Sequence, residues 1–290
     1  QEGALIVNYV GHGGEVGWAS ERILELSDIN SFTNFYRLPV FITATCEFTR
    51  YDDATRVSAG EYLLLNPNGG AIGLYSTSRT VTATDTYELV NSLYDYLPDK
   101  NLNYTFGESL SLAKNNLGNT NYIVRKFSFF GDPNLKLAHP KFNITTTSIE
   151  LLDSLGQVIP DSDMINLSSN DTIQSLSHVR VFGEIQDGDN QLNPFSGKLY
   201  VSVFDKSDTL ITLNNDGVVN NSGIPIPQFI YGLQNNIIYS GAVSVQNGGF
   251  SFEFIVPKDI RYEYGKGKLS YYATDSILGE ASGFDEEIYV

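Results

Sequence analysis

The chain has 290 residues, 41% of them hydrophobic and 12% aromatic, and a formal net charge of -16. That length and apolar content suffice for two ordinary hydrophobic cores and exclude global disorder. So acidic a chain, with few Lys and Arg to neutralise phosphate, is not expected to take nucleic acid as a partner.

One cysteine excludes an internal disulfide and any all-cysteine zinc or iron–sulfur site. No uninterrupted apolar stretch is long enough to cross a bilayer. The sequence opens with no signal peptide, already at the lip of an apolar strand. The expectation is that neighbouring strands and any targeting segment lie upstream.

Residues 1–141 alternate short apolar runs with helical patterns. The runs 4–10, 40–44 and 71–75 read as strands buried on both faces. A short helix is expected after Ser58 and Glu61, ending near Asn66 and Pro67. Asp85 and Glu88 form a capping-box pattern for a second helix, with Tyr87, Val90, Tyr94 and Leu97 on its apolar face and Pro98 stopping it. Thr105 and Glu108 repeat the signal for a third, with Phe106, Leu110, Ala113 and Leu117 inward and Gly118 as its C-terminal cap. Alternation of this kind predicts an α/β domain with a mostly parallel sheet flanked by helices, whose ligand sites gather at the carboxyl ends of the strands.

Residues 142–290 lack helical signals. Strands are expected over 179–185, 198–204, 229–233, 237–245, 249–256 and 267–273, separated by Asn-, Asp- and Gly-rich turns. Phe250, Phe252 and Phe254 share one side of a strand and require a buried face. The pattern predicts an antiparallel β-sandwich of immunoglobulin-like type. Asp187, Asp189 and Asn190 offer oxygen ligands in a tight turn at Gly188, which reads either as a turn or as a structural calcium site, without the full spacing of a calcium-binding helix–loop–helix.

The reactive candidates stand just beyond two of the predicted strands. His12 follows 4–10 and is surrounded by glycines; Cys46 follows 40–44 at the polar end of its run. A thiol beside an imidazole forms a thiolate–imidazolium pair, a strong nucleophile with an acid at hand for the departing amine. The Gly13 N–H is a candidate donor to a developing oxyanion. The bland readings stand beside these: a lone cysteine as a small buried hydrophobe and a loop histidine with no role. Glu15 is read as orienting His12, binding a basic substrate group or facing solvent. Trp18 is read as a cleft wall or as packing, and Glu47 as structural or as a substrate contact. Arg50, Asp52, Asp53 and Arg56 are expected to form local ion pairs. Arg79 and Asp85 are placed in a loop as a substrate wall, and His139 and His178 as structural or exposed.

Residues 8–15 with Trp18, the run 43–47 and the Phe-Phe-Gly-Asp-Pro segment 129–133 resemble the gingipain-type cysteine peptidases, which have a caspase-like fold. The region 179–273, with 254–260 and 264–267, is similar to the PorU-type sortases of the type IX secretion system of Bacteroidetes. The resemblance implies His12 as catalytic histidine, Cys46 as nucleophile and the Gly13 and Cys46 N–H groups as the oxyanion hole, with no cofactor required. It further implies an enzyme on the extracellular face of the outer membrane, working with a PorV-like outer-membrane protein. Its protein substrates would carry C-terminal secretion domains. It would cleave them through a thioester on Cys46 and pass the cargo to water or to an amine of lipopolysaccharide or a related glycolipid. The alternative is a non-catalytic surface-binding or structural module derived from such a peptidase.

Overall fold

Three short apolar runs organise the first half of the chain. The computed structural model describes residues 3–99, 102–118, 121–159, 173–214, 217, 219 and 222–290, and the chain divides into units Gln1–His139 and Pro140–Val290.

In the first unit, β1 (Ile6–Val10) leads into the two-residue strands β2 (Gly13–Gly14), β3 (Gly17–Trp18) and β4 (Leu24–Glu25), then α1 (Leu26–Ser31), β5 (Val40–Ala44), α2 (Ala59–Leu65) and β6 (Gly73–Thr77). The helices α3 (Ala83–Tyr94), α4 (Phe106–Leu117) and α5 (Ile123–Lys126) and the strand β7 (Phe127–Gly131) follow. The main sheet has the order β1-β5-β6-β7; its first three strands are parallel and β7 is an antiparallel edge. This is the mixed α/β sheet that the alternation predicts.

Every residue of β5 and β6 is buried, which explains their unbroken apolar character. Alternation assigns them to two layers. Val40, Ile42 and Ala44 pack with Leu89, Val90, Leu93, Phe106 and Ala113 of α3 and α4. Phe41 faces the other way, in a cluster with Trp18, Ile29, Phe48, Ala59, Leu63 and Leu74.

The caps at Ser58 with Glu61 and at Thr105 with Glu108 are true capping boxes, and Gly118 ends α4 with φ 74. The expected cap of α3 is displaced. Thr82, rather than Asp85, caps it, accepting the Asp85 N–H, and Asp85 occupies the first helical turn. The buried face is accordingly Thr86, Leu89, Val90 and Leu93, while Tyr87 is exposed. The helix also ends at Tyr94, ahead of Pro98. The Gly-Asp-Pro segment has a structural use: the Pro133 and Leu135 carbonyls accept the first free N–H groups of α4, from Gly107 and Phe106.

The second unit contains β8 (Phe142–Leu152), β9 (His178–Asp187), β10 (Asn190–Gln191), β11 (Gly197–Phe204), β12 (Asp208–Ile211), β13 (Ile230–Leu233), β14 (Ile237–Val245), β15 (Gly249–Ile255), β16 (Lys268–Asp275) and β17 (Gly279–Asp285). Its principal sheet runs β9-β8-β17-β16-β11-β14, with β15 on the free side of β9. All pairings but a short parallel one between β17 and β8 are antiparallel. Because a tight turn joins β14 to β15, at opposite ends of this order, the sheet curls upon itself around one core. Phe250, Phe252 and Phe254 enter that core with Val181, Leu199, Val201 and Tyr271.

Asp187 to Asn190 is the turn of a hairpin, Asp187 pairing with Asn190 and Gly188 at φ 63. Among the described residues no group of three or more His, Cys, Asp or Glu is arranged to hold a metal ion. His178 bonds Glu253 at 2.9 Å across β9 and β15.

Candidate active site

The parallel register of β1 and β5 pairs Val10 with Ala44, and the Gly11 N–H extends it by donating to the Ala44 carbonyl at 3.3 Å. His12 and Cys46 each lie two residues past that last pair, at the carboxyl ends of neighbouring strands. The two loops then touch. A Cβ built on Gly13 would stand 2.5 Å from Thr45 Oγ1 and 2.9 Å from the Gly17 carbonyl. Only glycine fits so close an approach, which puts the residue after His12 against the residue before Cys46.

His12 is exposed at its side chain and fixed at its backbone. Its carbonyl accepts from Tyr9 Oη at 2.6 Å and from the Ala19 N–H at 2.8 Å. Tyr9 in turn stacks on Trp18, ring centroids 4.5 Å apart and planes within 7°. Burial raises the Tyr9 phenol, with Glu21 adding to the effect, so its hydroxyl keeps its proton to donate. Trp18 is 6% exposed, and it packs against Phe41 and Phe48. It therefore packs beneath the histidine hairpin, and it also lines the cavity beside His12.

Cys46 is half-buried, and its thiol donates to the Val81 carbonyl at 3.6 Å. The loop around it is pinned by buried hydroxyls. Thr43 and Thr49 both bond Ser76, at 2.7 and 2.8 Å, and Thr77 donates to the Thr45 carbonyl. Glu47 has a left-handed φ of 52 and donates its N–H to the Arg79 carbonyl at 3.4 Å. The chain thus turns sharply at the residue after the sulfur.

Helix α2 ties the two loops together from below. Its first N–H groups have no helical acceptor. Ala59 donates to the Glu15 carbonyl at 2.7 Å and Gly60 to the Phe48 carbonyl at 2.8 Å. One belongs to the histidine hairpin, the other to the cysteine loop.

The charged neighbours bridge the same pair of loops. Arg50 and Arg56 bind the two Glu15 oxygens at 2.8 and 2.9 Å, so that carboxylate is engaged by arginines instead of by His12. Glu47 is 3.5 Å from Arg50. Arg79 holds Asp52 through its two terminal guanidinium nitrogens, and these hydrogen bonds depress the Asp52 carboxyl and raise the Arg79 guanidinium. The mixed charges at 50–56 do form ion pairs, and the sequence did not show that these reach Glu15 and Arg79, residues distant in the chain. Tyr9, Phe48 and Val81 were also unmarked; the Tyr9–Trp18 spacing carries no periodic signal across a turn.

Residues 1–138 match the family model described as Peptidase family C25. No curated protein matches the chain. Among solved structures, the dimeric latent PorU of Porphyromonas gingivalis is similar at 27% identity over 64% of this chain and 16% of its own, with a TM-score of 0.41. The Arg-specific cysteine proteinase gingipain R is similar at 13% identity over 97% of this chain and 53% of its own, with a TM-score of 0.44. The chain thus spans about half of the gingipain and a much smaller share of PorU. Residues 1–138, nearly the whole of the first unit, are thus similar to Peptidase family C25, the gingipain-type cysteine peptidases.

Proposed function

We propose that Cys46 is the nucleophile and His12 the base of a cysteine peptidase, with the Gly13 and Cys46 N–H groups as oxyanion donors. The observation that carries this reading is the parallel Val10–Ala44 register with the Gly13–Thr45 approach, which brings the two reactive loops into contact at one sheet edge. His12 takes the thiol proton as sulfur attacks the scissile carbonyl, and returns it to the departing amine. The thioester left on Cys46 is resolved by water or by an amine.

On the same proposal the whole protein is a cell-surface sortase of PorU type. It removes C-terminal secretion domains from exported cargo and transfers the cargo to an amine of lipopolysaccharide or a related glycolipid, beside a PorV-like partner. The family match of residues 1–138 and the sequence resemblance of residues 179–273 to PorU-type sortases support this finer reading.

The test is peptide cleavage with mass-spectrometric trapping of the thioester. Replacing Cys46 with Ala abolishes both on this account while thermal unfolding stays near that of the parent. Full cleavage by purified Cys46→Ala protein refutes it.

A further inference from the structure

A cavity of about 330 Å³ opens beside His12, lined by His12, Gly13, Gly14, Val16, Trp18 and Leu24 together with Ser20 and Glu25. Cys46 is not part of its lining. The walls are set by the three-stranded turn of β2, β3 and β4, in which Gly13 pairs with Trp18 and Trp18 with Leu24.

Two of its glycines have different reasons to be glycine. Gly17 has φ 152, and a Cβ there would fall 2.1 Å from the Leu24 carbonyl, so the turn itself demands it. Gly14 has no such need. Its φ is not left-handed, and a Cβ built on it meets nothing within 4 Å. What the missing side chain at Gly14 provides is open space in the cavity wall.

The chemistry of the proposed reaction says which part of a substrate belongs there. The acyl half of the peptide becomes bonded to the sulfur. The amine half leaves by taking a proton from His12, so it must lie on the histidine side. A cavity lined by His12 and not by Cys46 is placed for the leaving half. We propose that this cavity is the subsite for the first residue after the scissile bond, and that it takes a compact apolar side chain. Val16, Leu24 and Trp18 supply the apolar part of its lining, and Gly14 leaves it open.

In the acylation step the carbon–nitrogen bond breaks as the carbon–sulfur bond forms, and the imidazolium proton goes to the leaving nitrogen. In the reverse sense an incoming amine enters the same cavity, loses a proton to His12 and expels the thiolate, which recovers that proton.

This inference rests on the peptidase reading, and the test separates the two. Peptides with one acyl half and either Gly or Leu as the first leaving residue are compared by kcat/KM, with Cys46 labelling by a peptidyl electrophile that lacks a leaving peptide run in parallel. The parent is expected to prefer Leu by about tenfold or more, the scale set by burying one such side chain. Gly14→Val fills the space and Val16→Asp puts a charge on the wall. Each is expected to reduce the preference to about twofold or less, and Val16, exposed at 66%, tolerates change without threat to the fold. Cys46 labelling in the parent with an undiminished Leu preference in both variants overturns the subsite alone. No labelling of Cys46 in the parent removes the peptidase reading and the subsite with it.

Discussion

The rings of Trp18 and Phe48 meet at a centroid distance of 5.7 Å, joining the hairpin that carries His12 to the loop that carries Cys46. Phe48 has no exposed surface, and its carbonyl is held by the N–H of Gly60 in α2. The relative position of the two reactive loops is therefore set by a small aromatic core and a helix terminus.

Truncating Phe48 to Ala leaves a cavity under both loops and should destabilise the first unit by about 3–5 kcal/mol. Denaturant unfolding of the variant measures this. A loss below about 1 kcal/mol means that the core does not fix the loops.

Tyr9→Phe preserves the stack on Trp18 and removes only the hydroxyl that bonds the His12 carbonyl. One hydrogen bond contributes about 1 kcal/mol to stability. Small misplacement of a reacting group costs rate more steeply, and about a tenfold fall in kcat is expected with little change in KM. Steady-state kinetics on a cleaved peptide give the split.

How much of this was legible from residues alone depended on periodicity and caps. The strands at 40–44 and 71–75 announce themselves as unbroken apolar runs because both faces are covered, and capping boxes mark α2 and α4. The start of α3 lies three residues before the expected one because Thr82, Asp85 and Glu88 all fit cap positions, and only geometry chooses between them. Strand β8 escaped because a bulge between Thr146 and Ser148 shifts its register, so Phe142, Ile144 and Ile149 break the period of two. Strand β17 has only Ala281 buried, among small and polar residues. At the site, His12 and Cys46 stood out by position, whereas the role of Glu15 as an anchor for Arg50 and Arg56 depends on contacts across more than thirty residues.

The hydrogen bonds from Arg79 keep the Asp52 carboxyl below its ordinary value of 3.8. A depressed carboxyl contributes stability above that value and loses it as pH falls through the folded one. Arg79→Ala should return the Asp52 titration toward 3.8, seen as a shift of its carboxylate carbon signal by NMR. An unmoved titration contradicts the pairing.

In the second unit, Asp205 is fully buried beside Lys206, whose ammonium lies 3.0 Å from its carboxylate. Burial alone would raise Asp205; hydrogen bonds from the Lys206 side chain and N–H and from the Arg261 N–H outweigh it and hold it below 3.8. Its contribution is present above pH 3.8 and disappears as pH drops through the lowered value. Asp205→Asn leaves Lys206 buried without a counter-charge and should cost about 3–5 kcal/mol, measured by denaturant unfolding at neutral pH. A near-neutral effect contradicts the role assigned to the pair.

The most direct measurement is the rate at which a peptidyl acyloxymethyl ketone labels Cys46 in the parent and in His12→Ala protein. If the imidazole serves the thiol, labelling falls by about 100-fold or more in the variant. Equal rates in the two proteins contradict the account.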